Sequence, residues 1–429
     1  MERMLQTLTE FLKNSLTAYH TCENARELLI KNGFSPLPAN DDWQIFEGGK
    51  YFVERSGSLI AFTVGALNDF SYKIVASHSD SPALKLKFSP VMKAGGAYAS
   101  LNVETYGGGL WYSFLDRPLN IAGQIVRQEN DRIYPETVQA PFLVTIPSVA
   151  IHQNRNANDG FTVNPQVDLL PLLSLSSETN EKEFLQKIVG DGEALSYDLY
   201  AVNADTPYTF GLNDEFLASP RIDNLTGVCS GLEALLSHAE SSGVCVAAFF
   251  HHEEIGSRTT QGAGGDFLQN TLRRIAYALR FDDNEYYKAL ASSFLLSVDN
   301  GHALHPNHPE KCDPTNKPIL GGGLIVKSHA NGAYITDGLS AGAIGAILDK
   351  AGVKRQNFFN RSDMRSGSTL GVPAASALGI VGVDVGIPQL AMHSACECFA
   401  KSDYIQLVNG LTAFFSSDIL SDGNGFIIR

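Results

Sequence analysis

Short apolar runs that end in polar side chains are the dominant pattern of this chain. Segment 244–250 is wholly apolar, rich in Val and Phe, and follows Gly243, which is typical of a buried strand. Segments 72–77 and 294–298 have the same character, and a last strand is predicted over about 383–392. A possible metal ligand or proton carrier follows each run: His78, Glu253 with Glu254, Asp299 and His393.

Helical patterns alternate with these runs. Segment 1–16 places its apolar residues at helical spacing with charges between them, which predicts an amphipathic helix. Further helices are predicted over about 22–31, 225–238 and 262–280. Strands that alternate with helices favour an α/β fold built on an open sheet.

The pattern changes between residues 88 and 212. Short β-rich pieces alternate with turns at 101–106, 110–115, 121–127, 142–151 and 195–203, and one clear helix is predicted near 181–189. We therefore predict a compact β-rich module at 88–212, inserted into an α/β host domain formed by 1–87 and 213–429.

Composition and charge limit the possible partners. The 429 residues are too many for one simple core, and the net charge of −14 argues against nucleic acid or an anionic membrane surface as a partner. No apolar run approaches the ~20 residues that span a bilayer, and the N-terminal helix lacks the features of a signal peptide. The six cysteines form no CxxC pair, which predicts free thiols and a cytoplasmic location; Cys396 and Cys398 are placed in a predicted helix.

The residues at the strand ends suit a metal site. Carboxyl ends of parallel strands gather at one edge of an open sheet, so distant positions become neighbours there. Two histidines and three carboxylates, counting Asp223, form a nitrogen and oxygen shell without thiolate. Such a shell suits two Zn²⁺ ions, or Mn²⁺ or Co²⁺, about 3.5–4 Å apart and bridged by one carboxylate.

Each of these residues also has a simpler interpretation. Glu253 and Glu254 alone would suit a solvated acidic turn, Asp223 a helix N-cap, and His78 a surface or capping histidine. In the functional interpretation, one glutamate binds a metal while its neighbour moves a proton, because side chains alternate along an extended chain. Asp80 would then support the metal-binding His78 from behind.

Six motifs in order along the chain resemble the M18 metallopeptidases, the aspartyl aminopeptidase family. They are SHSDSP at Ser77, SPRIDN at Ser219, HEEIGS at His252, DNGHALHPN at Asp299, GST at Gly367 and PQLAMHS at Pro388. The resemblance implies a zinc-dependent exopeptidase fold, with an open mixed sheet flanked by helices, interrupted by a dimerisation domain. It also implies that dimers assemble into a homododecamer.

The resemblance further implies the roles of the metal-site residues. His78, Asp223 and Asp299 would hold one zinc ion, and Asp223, Glu254 and His393 the other, so that Asp223 bridges the two. Glu253 matches the general base, and Asp80 matches the residue that supports His78.

Three more site residues follow from the resemblance. Lys327, at the end of an apolar run, and Tyr334 match substrate-contacting positions, and a partly buried ammonium would favour an acidic side chain over an apolar one. His152, on a strand predicted over 146–156, would reach into the partner subunit's site and donate a hydrogen bond to the oxyanion. Taken alone, Lys327 would be a surface lysine and His152 a half-buried strand histidine.

The expected function is a zinc aminopeptidase that removes N-terminal residues, preferably Asp or Glu, from peptides with a free N-terminus. Three departures from the family, at His251, Asn300-Gly301 and Ser362, leave every ligand in place. Two alternatives stay open: a related dinuclear zinc carboxypeptidase or N-deacylase, and a catalytically inactive assembly protein.

Overall fold

The fold was analysed in a computed structural model that describes residues 2–190, 192–239 and 241–429. Its α-helices are α1 (Glu2–Asn14), α2 (Ala18–Lys31), α3 (Pro165–Asp168), α4 (Glu181–Val189), α5 (Ile222–Ser237), α6 (Phe267–Ala278), α7 (Asp283–Ala291), α8 (Gly338–Lys350), α9 (Gly371–Leu378) and α10 (Lys401–Phe415). Its strands are β1 (Ser35–Pro36), β2 (Lys50–Arg55), β3 (Ser58–Val64), β4 (Tyr72–His78), β5 (Ala83–Ala94), β6 (Tyr98–Tyr106), β7 (Leu119–Glu129), β8 (Arg132–Val144), β9 (Leu172–Ser174), β10 (Ser196–Asn203), β11 (Tyr208–Phe210), β12 (Phe216–Ser219), β13 (Val244–Phe250), β14 (Phe294–Val298), β15 (Gly301–His302), β16 (Leu324–Lys327), β17 (Arg355–Phe358), β18 (Val381–Gly386), β19 (Pro388–Leu390), β20 (Glu397–Ala400), β21 (Ile419–Ser421) and β22 (Phe426–Ile428).

The largest sheet is mixed and nine-stranded, in the order β1-β2-β3-β13-β4-β14-β18-β16-β17. Four central neighbours, β13, β4, β14 and β18, run parallel, so their carboxyl ends meet at one edge. They include the apolar runs identified in the sequence, and β13 and β14 have the predicted bounds. The predicted open mixed sheet is therefore confirmed.

Both faces of this sheet are covered by helices, which explains why the central strands are apolar throughout. In β13, Cys245 and Phe249 pack with α1, α2, α5, α8 and α10, whereas Val246 and Phe250 pack with α6, α7 and α9 on the other face. Alternation along a strand thus places every side chain of this run in one of two cores.

A second, antiparallel sheet has the order β8-β7-β10-β5-β6-β9 and its own apolar core. Its strands span residues 83–203. The predicted insertion at 88–212 covers most of this sheet, but its first boundary falls inside β5. The division into two domains remains a prediction.

A smaller sheet, β11-β12-β20-β19-β15, contains a segment that was predicted wrongly. Cys396 and Cys398 flank Glu397 at the start of strand β20 and not in a helix. Glu397 and Phe399 are buried while Cys398 is partly exposed, and this period of two is that of a strand.

Other sequence predictions need correction. The strand expected at 110–115 is a short 3-10 helix, Trp111–Phe114. The strand expected over 142–151 ends at Val144, and residues 151–153 form a turn, because Pro147 interrupts the strand and Asn-rich sequence follows. Helix α6 begins only at Phe267, after the turn-forming glycines. The last predicted strand divides into β18 and β19.

No helix among the described residues is long and apolar enough to cross a membrane.

Candidate active site

The predicted ligands converge at the carboxyl edge of the parallel strands. His78 is the last residue of β4, the Glu253–Glu254 pair follows β13, and Asp299 follows β14. His393 departs slightly from expectation, since it follows β19 of the small sheet and not β18. Asp223 joins them from the first turn of α5, where it is buried.

Asp223 lies at the centre of the cluster. Its Oδ1 is 3.4 Å from His78 Nε2, and its Oδ2 is 3.3 Å from His393 Nε2. His393 Nε2 is also 3.5 Å from Glu254 Oε1. Each oxygen of one carboxylate therefore faces a different histidine, an arrangement that can place one carboxylate between two cations.

The cluster fits a metal ion in both geometry and chemistry. His78, Asp223 and Glu254 offer ligand atoms that all lie within 4.8 Å of one another. Within the described part of the chain, Asp223 Oδ1 and Glu254 Oε1 are buried and form no hydrogen bond, which is costly for carboxylates unless a cation pairs with them. A shell of imidazole and carboxylate suits zinc.

Excess negative charge dominates the electrostatics of the site. Burial lowers the pKa of His78, but the carboxylates of Asp223 and Asp80 outweigh burial and hold it well above its usual value. Burial also lowers the pKa of His393, but the carboxylates of Asp223 and Glu254 outweigh burial and raise that pKa to about 10. The pKa of Glu253 is raised to about 8, chiefly by burial. The charge of His78 lowers this pKa, and the carboxylate of Asp299 raises it. These directions are those of a site that attracts cations.

Asp80 supports more of the site than was predicted. The Nδ1 of His78 donates to the Asp80 carbonyl at 3.0 Å, as expected for a residue behind a ligand. The Asp80 carboxylate also accepts the backbone amides of Glu253 and Glu254 at 3.3 and 3.2 Å. Asp80 therefore orients the histidine through its backbone carbonyl and the glutamate pair through its carboxylate.

Sequence reasoning missed the end of β6. Tyr106 donates its hydroxyl to Asp80 Oδ2 at 2.6 Å, and the carbonyl of Gly108 accepts from His393 Nδ1 at 2.9 Å. Gly107, at φ +77°, lies so close to Glu254 that an added Cβ would be 3.0 Å from the Glu254 Cβ. The one signal that the sequence offered here is a run of three glycines, 107–109, directly after a predicted strand.

Glu397 was also missed. This buried carboxylate accepts the backbone amide of Asp223 at 2.9 Å and that of His393 at 2.6 Å. It thereby fixes the backbone of two candidate ligands, whereas the helix predicted around it hid its inward orientation.

Lys327 and Tyr334 line a cleft of about 310 Å³ whose walls also include Glu253 and several candidate ligands. The Lys327 side chain is only 3% exposed, so its interpretation as a surface lysine is wrong. Its Nζ donates to the carbonyl of Asn300 at 2.8 Å, lies 3.6 Å from Asp299 Oδ1, and lies 5.2 Å from the Tyr334 ring centre. A buried cation is thus held at the wall of the cleft.

His152 lies elsewhere. It is exposed on the turn at 151–153 and does not line the cleft of its own chain. The predicted strand that would present it is wrong, while its role in a partner subunit's site remains a prediction.

The three departures from the family pattern lie in different environments. His251 is buried, with its Nδ1 accepting from the backbone of His252 at 2.9 Å and lying 3.4 Å from the Tyr106 hydroxyl. Asn300 is buried and donates to Thr226 and Gln389, each at 2.8 Å. The residue at 362 is exposed. None of the three displaces a candidate ligand.

Comparison with known proteins agrees with this geometry. The profile of the Peptidase_M18 family, described as "Aminopeptidase I zinc metalloprotease (M18)", matches residues 11–415. "Probable M18 family aminopeptidase 2" of Clostridium acetobutylicum is 38% identical over 423 residues, which cover 95% of this chain and 98% of that protein.

Solved structures agree as well. A chain from "Cryo-EM structure of the Ape4 and Nbr1 complex" has a TM-score of 0.90 and 33% identity, covering 96% of this chain and 85% of that one. "Structure of S. cerevesiae mApe1 dodecamer" has a TM-score of 0.83 and 25% identity, with coverages of 96% and 95%. The chain therefore belongs to the M18 family of zinc metallo-aminopeptidases.

Proposed function

We propose that this protein is a dinuclear zinc aminopeptidase that prefers N-terminal Asp or Glu. The observation that carries the proposal is the Asp223 carboxylate, whose two oxygens lie 3.4 and 3.3 Å from the imidazoles of His78 and His393. A bridging carboxylate between two metals needs this arrangement. His78, Asp223 and Asp299 would hold one ion, and Asp223, Glu254 and His393 the other. Mn²⁺ or Co²⁺ could replace zinc in such a shell.

The chain's own residues then divide the work of peptide hydrolysis. Zinc, when bound, supplies a Lewis acid that polarises the scissile carbonyl and lowers the pKa of water. Glu253, beside the ligands and lining the cleft, takes the proton from the attacking water and returns it to the leaving amine. The Asp80 carboxylate keeps Glu253 in place by accepting a hydrogen bond from the Glu253 backbone amide.

The preference for acidic residues rests on Lys327. Its ammonium is buried at the wall of the cleft, above the Tyr334 ring. A substrate carboxylate there would form a charge-assisted hydrogen bond, whereas an apolar side chain would leave the cation without a further partner. The nearby Asp299 carboxylate keeps the lysine charged, since burial lowers its pKa but Asp299 raises it above the usual value.

The proposal includes assembly. One solved neighbour is described as a dodecamer, and we infer a homo-oligomer built from dimers for this chain too. His152 would then complete the partner subunit's site by stabilising the oxyanion. We also propose a cytoplasmic location, consistent with the free cysteines of the described chain.

A substrate panel tests the proposal. Purified protein with zinc measured by elemental analysis would be assayed on aminoacyl chromogenic substrates, with free and blocked N-termini and with added Zn²⁺, Mn²⁺ or Co²⁺. We expect cleavage of free aspartyl and glutamyl substrates, and loss of that preference in Lys327→Ala. Cleavage of blocked substrates would favour the N-deacylase alternative, and zinc binding without any hydrolysis would favour the inactive assembly protein. Equal or better cleavage of leucyl substrates by the wild type would contradict the acidic preference.

A further inference from the structure

A second cavity adjoins the catalytic cleft. Its volume is about 360 Å³, and it shares His302, Phe358 and Gly367 with the lining of the cleft. The rings of His302 and Phe358, with centres 6.5 Å apart, lie at the junction. A peptide held in the cleft can therefore continue into this cavity without leaving the protein surface.

The charge of this second cavity differs from that of the whole molecule. Its lining contains His305, His308, Lys311, Arg361 and Arg365, and no Asp or Glu among the described residues. The chain as a whole carries a net charge of −14. A basic lining of this kind in an acidic protein concentrates positive potential where a ligand would enter.

Nearby carboxylates neutralise only part of this charge. Asp363 forms a bidentate pair with Arg361, at 2.7 and 2.8 Å, and Glu310 lies 3.3 Å from His308 Nδ1. Neither carboxylate lines the cavity. Lys311 and Arg365 are both exposed at its wall and leave the cavity with a positive balance.

We propose that this cavity binds a carboxylate of the peptide downstream of the scissile bond, so that the enzyme selects acidic peptides beyond their first residue. The inference rests on the proposed function. Four of the five proposed metal ligands line the first cleft together with Glu253 and Lys327, and this cleft therefore receives the reacting bond and the first side chain. The remainder of the peptide must leave that cleft, and the shared wall leads into the basic cavity.

The chemistry of the lining supports a carboxylate over other groups. Arginine and lysine bind carboxylates through charge-assisted hydrogen bonds, and the lining also offers apolar surface from Phe359, Met364 and Leu390 for the peptide's carbon atoms. Because the basic side chains are exposed, the preference should weaken as salt screens them.

Peptide hydrolysis tests the proposal directly. The substrates are Asp-Ala-Ala-amide, Asp-Ala-Glu-amide, Asp-Glu-Ala-amide, Asp-Ala-Lys-amide and the free acid Asp-Ala-Ala, with aspartyl p-nitroanilide as a reference that has no downstream residue. The wild-type holoenzyme would be compared with Lys311→Ala/Arg365→Ala. The matched control is Arg280→Ala/Lys288→Ala, which removes the same charge from exposed positions outside both cavities.

We expect kcat/KM at low salt to be about tenfold higher for peptides with a downstream Glu than for Asp-Ala-Ala-amide. The ratio should fall toward one in the Lys311→Ala/Arg365→Ala variant and stay unchanged in the control. A gain for the Glu-containing amides identifies a side-chain carboxylate, and a gain for the free acid alone identifies the peptide's C-terminus; both support the proposal.

Two results would overturn it, and they are distinguishable. If aspartyl p-nitroanilide is cleaved but the peptides differ less than twofold, or the ratio survives the double substitution, the second cavity has no part in selection. If neither the anilide nor any peptide is cleaved by the zinc-loaded protein, the proposed function itself is wrong, and the downstream site is lost with it.

Discussion

Tyr106→Phe removes the hydrogen bond between the antiparallel sheet and Asp80 of the candidate active site, together with the longer 3.4 Å contact between the same hydroxyl and His251 Nδ1. The substitution removes the hydroxyl that donates to Asp80 Oδ2 at 2.6 Å and leaves the ring in its packing. Asp80 keeps its contacts with the backbone amides of Glu253 and Glu254. The perturbation therefore weakens the support of the glutamate pair without removing a candidate ligand.

Its magnitude follows from the kind of bond that is lost. A hydrogen bond to a buried charged group contributes about 1.5–3 kcal/mol. If the whole loss appeared in the transition state, kcat/KM would fall by roughly 10- to 150-fold, because about 1.4 kcal/mol corresponds to a factor of ten. Loss of an outer-shell partner also weakens metal binding, typically by about 10–100-fold.

The matched control is Tyr200→Phe. The Tyr200 ring packs edge-on against Tyr106, with centres 5.5 Å apart, but its hydroxyl makes no hydrogen bond within the described part of the chain. Three quantities would be measured for both variants: zinc affinity by chelator competition, kcat/KM on an aspartyl substrate, and the urea midpoint of unfolding.

Only a specific pattern supports the reasoning. Tyr106→Phe should lose zinc affinity and kcat/KM, while Tyr200→Phe should stay close to the wild type in both. If the two variants match in all three measurements, or if Tyr106→Phe lowers the urea midpoint alone, the hydroxyl contributes packing or stability and does not position the site.

Three further predictions concern separate parts of the molecule. Glu253→Gln should retain zinc yet lose at least about 100-fold in turnover, the scale for a general base; unchanged turnover at full zinc would contradict its role. His152→Ala should assemble and bind zinc but be nearly inactive, and mixing it with Glu253→Gln subunits should restore part of the activity. No recovery despite proven subunit exchange would show that each site is complete in its own chain. Burial raises the pKa of the Glu233 carboxyl to about 7. The folded state therefore binds this proton more tightly than the unfolded state does, and the free energy of unfolding falls as the pH rises from about 4.5 to 7. Glu233→Gln should reduce that fall by on the order of 1 kcal/mol, given its partial exposure, as measured by urea unfolding at pH 5 and 7.5.

The elements that were predicted well are strands buried on both faces of the sheet, because their sequences are apolar at nearly every position. Strand β13 is buried on two sides, so all its positions are apolar and its bounds are visible in the sequence. Most candidate ligands could be found because they lie at the ends of such strands, as His78, Glu254 and Asp299 do. His393 was found because it follows the apolar run predicted over 383–392, although the strand before it belongs to the small sheet. Asp223 starts the helix that packs beside β4 and β13. Strand ends mark both the limit of the core and the place where polar groups converge.

The residues that were missed act through contacts between distant segments. Glu397 accepts the backbone amides of Asp223 and His393, and its strand β20 lies between β12 and β19 of the small sheet. No local pattern around residue 397 carries that information. Similarly, Tyr106 is one aromatic residue in a β-rich stretch until the antiparallel sheet places it 2.6 Å from Asp80.

The region of the antiparallel sheet contributes to catalysis in two ways under this proposal, one within its own chain and one in a partner subunit. The end of β6 contacts the site within its own chain, through Tyr106 on Asp80 and Gly108 on His393. His152, exposed on a turn of the same region, could act only in a partner subunit. Inactivation caused by a change in this sheet therefore does not by itself show that catalysis needs a dimer. A defect at Tyr106 remains with the chain that carries it, whereas a defect at His152 would pass to its partner, so mixing experiments separate the two contributions.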